Sequence, residues 1–162
     1  MDITIPPQVG QKAPDFDLLD QNGNHWTLQT IIKDRPALIA FYPGDFTMIC
    51  TRQLCNYEES LSEFQRLGVQ ILGISKNTVQ SHSSFAEAYG FQFPLLSDPD
   101  LKVAKSYGCT SFLLLGGISR AVCVIGKNGT LIYRYVEPTP LTHRKPGELI
   151  NILNTLKAKG TL

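Results

Sequence analysis

The stretch ALIAFYPGDFTMICTRQLC, residues 37–55, decides the fold. Its first six residues, Ala37 to Tyr42, form an unbroken apolar run halted by Pro43. Such a run reads as a β-strand buried on both faces, because a half-exposed strand would alternate polar and apolar positions. Beyond the loop, Leu54, Tyr57, Leu61 and Phe64 recur at the spacing of one helical stripe, which predicts a helix over 50–67 stopped by Gly68. Cys50 lies four residues before Leu54 and so opens that stripe on the helix's first turn.

Working outward, Pro14 to Leu28 reads as a β-hairpin turning at Asn22-Gly23. Val69 to Ser75 is a second strand, Thr78 can cap a helix running to Tyr89 with Gly90 at its end, and Leu95-Leu96 is a short strand followed by a short helix to Tyr107. Ser119 to Ile125 and Leu131 to Val136 flank Lys127-Asn128-Gly129-Thr130 as another hairpin, and Leu149, Ile152, Leu153 and Leu156 mark a last helix. Strands alternating with helices predict an α/β domain over 1–162. Its mixed central sheet is flanked by helices and thioredoxin-like, with an N-terminal β-hairpin and one inserted βα unit.

Composition bounds the class. The 162 residues suit one domain that buries about 69% of its unfolded surface, and 43% hydrophobic residues supply the core. Fifteen basic against fourteen acidic residues leave a formal charge of +1, and no basic run exceeds Arg144-Lys145, which argues against a nucleic-acid partner. No apolar stretch approaches the ~18 residues of a membrane span, and Met1 to Gly10 lacks the basic start and apolar centre of a secretory signal. The expectation is a cytoplasmic chain. His25, His82 and His143 show no metal-ligand spacing, so no metal or other cofactor is expected; His82 reads as helix surface and Asp45 as a solvated loop residue.

The four cysteines divide. Cys50 and Cys55 form a close pair, of the kind that is catalytic or metal-binding in a reducing compartment. Cys123, within Ala121-Val-Cys-Val-Ile125, reads as a core hydrophobe, and Cys109 as structural with a reserve role as a second thiol. At a helix N-terminus the unpaired N–H groups and the dipole favour a thiolate, so Cys50 is expected to ionise more readily than a free thiol. Thr47 can bring a hydroxyl to the same helix mouth, and Pro43, which has no N–H, can wall one side of the pocket.

The spacing of Pro43, Thr47 and Cys50 in its strand-loop-helix setting resembles the active-site signature of the peroxiredoxins, nearest to the peroxiredoxin Q or bacterioferritin comigratory subgroup. Ile74-Ser75-Lys76, the run Phe93 to Asp100, and Arg120 ahead of the Lys127-Asn-Gly turn extend the likeness over roughly Gly10 to Val136. The resemblance implies a thioredoxin-dependent peroxidase acting on hydrogen peroxide and organic hydroperoxides. In it Cys50 would be the attacking sulfur, Pro43 and Thr47 its pocket, and Arg120 the cation beside it. The resulting Cys50 sulfenic acid would condense with a nearby thiol, Cys55 being the nearest candidate. On an ideal helix residues five apart lie about 8.7 Å from each other, beyond disulfide reach, so the segment Thr47 to Tyr57 is expected to unwind on oxidation.

The chain departs from the family pattern at three places. Gln53 stands where peroxiredoxins usually carry Glu, which leaves an acceptor for Arg120 but no charge to orient it. Met48-Ile49 replaces a common Pro-Gly, and no cysteine-bearing C-terminal arm follows the last helix, so a monomer or weak dimer with an intramolecular disulfide is expected. Two rivals fit less well. A thiol-disulfide oxidoreductase would favour Cys-x-x-Cys, and a four-cysteine zinc module would need a second close pair.

Overall fold

The apolar run at 37–42 does become the middle of a sheet. In the computed structural model, which describes residues 5–111 and 116–162, the chain runs β1 (Asp17–Leu19), β2 (His25–Thr27), α1 (Leu28–Ile32), β3 (Ala37–Phe41), α2 (Met48–Glu59), α3 (Leu61–Arg66) and β4 (Gln70–Ser75). It continues through α4 (Val79–Tyr89), β5 (Leu95–Ser97), α5 (Lys102–Ser106), β6 (Ala121–Ile125), β7 (Leu131–Val136) and α6 (Pro146–Ala158). The strands lie in the order β2-β1-β5-β4-β3-β6-β7, with β3-β4 and β4-β5 parallel and the remaining pairs antiparallel.

Alternation along β3 divides the core between the two faces of the sheet. Ala37, Ile39 and Phe41 face a cluster that includes Ile32 of α1, Ala104 of α5, Tyr107 and Cys123. Leu38, Ala40 and Tyr42 face the opposite cluster with Cys50 and Leu54 of α2, Phe64 of α3, Phe85 of α4 and Leu153 of α6. All five β3 residues are buried, as a central strand with two covered faces requires.

Three local features differ from the sequence expectations. The N-terminal hairpin is shorter than 14–28: Asp20 takes the N–H groups of Asn22 and Asn24 on Oδ1 and the indole N–H of Trp26 on Oδ2. The chain leaves β2 directly into the five-residue α1, where the Thr27 hydroxyl accepts the Thr30 N–H. The helix expected over 50–67 is two helices, α2 and α3, parted at Ser60. The apolar stripe runs through that break without a change of spacing, and the Ser60 side chain makes no capping bond to α3.

The register Phe41↔Ala121 sets up the site. Because β6 runs antiparallel to β3, its first residue pairs with the last of β3, and Arg120 arrives at the end of the sheet from which the chain leaves for α2. A cavity of about 430 Å³ lies at the opposite end, beside the β6-β7 turn and Lys12, Lys33 and Lys127, and no cysteine lines it.

Candidate active site

The loop joining β3 to α2 is held from behind by a buried carboxylate. Asp45 Oδ1 accepts the Tyr42 hydroxyl at 2.7 Å, while Oδ2 accepts the Ser81 hydroxyl at 2.7 Å and faces His82 Nδ1 at 2.8 Å. The Asp45 N–H donates to Asn77 Oδ1 at 2.9 Å, and Asn77 Oδ1 also receives the Ser75 hydroxyl at 3.0 Å. His82 Nε2 lies 3.1 Å from the Leu96 carbonyl. The ring thus bridges the Asp45 carboxyl group of the loop and the Leu96 carbonyl of β5.

This corrects two expectations. Asp45 is not a solvated loop residue and His82 is not helix surface; both side chains are fully buried and paired. The pairing follows from α4 crossing behind the loop, which a single-sequence reading has no means of locating. Burial, followed by the Asp45 charge, raises the Tyr42 phenol well above its ordinary range, so it remains a donor to that carboxylate. The anchored loop also sustains a strained residue: Phe46 sits at φ 63°, a left-handed conformation that a side chain bearing a Cβ adopts at a cost of about 1–2 kcal/mol. The Phe46 ring packs 4.9 Å from that of Phe85.

Thr47 is the N-cap of α2, and its backbone carbonyl accepts the Thr51 N–H. Its hydroxyl donates to the Gly44 carbonyl at 3.0 Å. That commits the hydroxyl's proton and leaves its lone pairs free to accept one. Pro43, half-buried, ends the strand side of the loop.

Cys50 occupies the third position of α2 and is fully buried. Arg120, 3% exposed, reaches it from the start of β6, and Nη1 donates to Cys50 Sγ at 3.1 Å. The same nitrogen donates its other proton to Gln53 Oε1 at 2.6 Å. Cys50 and Gln53 are three residues apart and share a helix face, so one guanidinium nitrogen bridges them. The neutral Gln53 therefore does hold Arg120. Behind it, Gln53 Nε2 donates to the Tyr57 hydroxyl at 3.0 Å, and Tyr57 donates to the Arg144 carbonyl at 2.8 Å. The sequence reading took Tyr57 only as core; its i, i+4 spacing from Gln53 was the available signal. A cavity of about 60 Å³ lies against Arg120, lined also by Ser119, Glu137 and Thr139.

Cys55, half-buried on the same helix, has its thiol pushed up by burial and then by Glu59 and Glu58. Because α2 is unbroken over Met48–Glu59, Cys50 and Cys55 stand about 8.7 Å apart between Cα atoms. Cys109 and Cys123 are buried together in the cluster on the other face of the sheet from Cys50, which removes the reserve role considered for Cys109. The Cys123 thiol is raised first by its contact with Cys109 and then by burial, as befits an inert core position. Among the described residues, no three His, Cys, Asp or Glu side chains are grouped to hold a metal ion.

Comparison with known proteins gives this geometry a context. Residues 9–134 match the AhpC/TSA family. The chain is 37% identical over 148 residues to peroxiredoxin Q, chloroplastic, from Oryza sativa subsp. japonica, covering 91% of this chain and 67% of that one. The crystal structure of peroxidoxin BcpB from Mycobacterium tuberculosis shares the fold with a TM-score of 0.80 at 29% identity, over 93% of this chain and 97% of that chain. The bacterioferritin comigratory protein of Xanthomonas campestris, a structure concerned with alkyl peroxide reduction, gives 0.76 at 28% identity over 89% and 91% of the two chains.

Proposed function

Because the chain belongs to the AhpC/TSA family of thiol-based peroxidases, the peroxiredoxins, we propose that Cys50 is the sulfur that reduces peroxide and Cys55 the thiol that resolves it. The observation that carries this reading is the 3.1 Å contact between Arg120 Nη1 and Cys50 Sγ inside a buried site. A charge-assisted donor there favours the thiolate, the reactive form of the thiol.

The thiolate attacks one peroxide oxygen and the O–O bond breaks heterolytically. Sulfur is oxidised to the sulfenic acid, and the departing hydroxide or alkoxide takes a proton and leaves as water or alcohol. Arg120 stabilises the charge as it passes from sulfur to oxygen, and the free lone pairs of Thr47 accept the proton of the incoming hydroperoxide. Pro43 walls the pocket and excludes water from the reacting atoms. The Cys55 thiolate then attacks the Cys50 sulfenic acid, forming the disulfide and releasing hydroxide, which is protonated to water.

Substrates in this reading are hydrogen peroxide and alkyl hydroperoxides, the latter supported by the Xanthomonas neighbour's alkyl peroxide reduction activity. A thioredoxin-type dithiol restores the enzyme, because a disulfide formed by unwinding a helix is exposed and readily exchanged. Among the described residues no helix is long and apolar enough to cross a bilayer. An intramolecular pair needs no second subunit, which supports a monomer or weak dimer, and four free thiols suit a reducing compartment such as the cytoplasm. The rice relative's name is chloroplastic, so a plastid is the alternative to be tested. The deciding experiment is peroxide consumption driven by thioredoxin, with mass mapping of the oxidised protein. Turnover with a Cys50–Cys55 disulfide supports the reading; no turnover, or a disulfide elsewhere, refutes it.

A further inference from the structure

We propose that Tyr57 is a positioning residue for Arg120, acting by fixing which end of the Gln53 amide faces the guanidinium. The inference rests on the peroxidase reading and concerns a difficulty peculiar to this chain. A glutamate at position 53 would offer Arg120 two equivalent oxygens, whereas a glutamine offers one acceptor and one donor end of nearly the same shape. Turned the wrong way, the Gln53 NH2 group would meet Nη1 donor to donor, with Gln53 fully buried and Arg120 3% exposed. The second Nη1 proton would lose its acceptor, and with it the link that places the guanidinium against Cys50.

The hydrogen-bond chain behind Gln53 removes the ambiguity. The Arg144 carbonyl can only accept, so the Tyr57 hydroxyl spends its single proton there, at 2.8 Å. Its oxygen is then an acceptor toward Gln53 and can be met only by Nε2, at 3.0 Å. Oε1 is thereby turned to Arg120, at 2.6 Å. From Cys50 back to Arg144 every member has one admissible role, and the direction of the whole chain is set by a backbone carbonyl that cannot reverse. Cys50, Gln53 and Tyr57 occupy positions i, i+3 and i+7 of α2, one continuous face, so the helix delivers all three together. Burial holds the Tyr57 phenol well above its ordinary range, and it keeps its proton at every pH where the thiol reacts.

Replacing the hydroxyl alone tests this. Tyr57→Phe keeps the ring and its packing on Phe64 and is expected to slow oxidation of Cys50 by peroxide about tenfold, the effect of about one net hydrogen bond. It should also move the pH profile of Cys50 alkylation upward. Adding Gln53→Glu to that variant is expected to restore most of the rate and return the profile, because a carboxylate needs no orienting partner. An unchanged rate in Tyr57→Phe, or a double variant as slow as the single one, would overturn the proposal. In the unaltered protein, the Gln53 side-chain NH2 protons should show NMR cross-peaks to Tyr57; cross-peaks to the Arg120 guanidinium instead would also overturn it. Failure of the parent protein to consume peroxide would count against the peroxidase reading and leave the alkylation and NMR tests of Tyr57 in force.

Discussion

Arg120 Nη1 stands 3.1 Å from Cys50 Sγ although 70 residues of chain separate them. Two backbone features create the contact: α2 begins at Met48, which places the sulfur in the first turn, and β6 runs against β3 with Ala121 opposite Phe41. Neither element has a reactive site alone. Their meeting at the end of the sheet sets a buried thiol against a guanidinium.

Removing the guanidinium should therefore cost rate more than fold. Arg120→Ala is expected to lower the second-order rate with hydrogen peroxide about a hundredfold, the scale on which loss of one buried charge-stabilising donor is felt. Stopped-flow competition for peroxide measures it, and a rate within threefold of the parent would remove Arg120 from the chemistry. Cys50→Ser should show no turnover.

Cys55→Ser should still perform one stoichiometric peroxide reduction and then stop with thioredoxin as reductant. Mass spectrometry should find Cys50 as the sulfenic acid or its trapped adduct. Normal cycling of this variant would mean that another thiol resolves Cys50.

The raised Cys55 thiol gives the resolving step a pH dependence. Its folded pKa lies above the ordinary thiol value because of burial, then Glu59 and Glu58. At neutral pH the reactive thiolate is thus the minor form, and its fraction grows as pH rises toward that pKa. Disulfide formation after a peroxide pulse should accelerate with pH, approaching tenfold per unit on the steep limb. Glu59→Gln should shift the profile to lower pH. A flat profile would show that helix opening, and not thiol ionisation, limits the step.

Amide hydrogen exchange should register that opening. Protection over Thr47 to Tyr57 is expected to fall in the disulfide form, since a helix with cysteines about 8.7 Å apart cannot close the bond. Equal protection in reduced and oxidised protein would contradict it.

The Asp45–His82 pair should matter chiefly for stability. His82→Leu takes a buried hydrogen-bond partner from Asp45 and is expected to cost about 2 kcal/mol in urea unfolding. Combined with Asp45→Asn, the loss should be smaller than the sum of the two single losses, because the groups are coupled. Additive losses would show that the two act independently.

What could be read from the sequence depended on range. β3, the loop at Pro43 and a helix with Cys50 in its first turn were legible because each is written in consecutive residues, although α2 opens two residues earlier, at Met48. The α1 turn was not, since five residues carry too little periodicity, and the break at Ser60 was hidden by an apolar stripe that continues across it. Cys50 and Arg120 became legible as a pair through the likeness to a known family. Asp45 and His82 gave no such signal, because their pairing depends on where α4 passes behind the loop. Tyr57 looked like one more core residue; only the fold shows that its hydroxyl reaches the Arg144 carbonyl.

The order of the strands along the chain also bears on how the enzyme comes into being. A ribosome releases Cys50 long before Arg120, and β6 can slot between β3 and β7 only when that last hairpin has emerged. Until then the sulfur lacks its guanidinium. The guanidinium contact is thus a property of the assembled sheet and of no shorter stretch of the chain.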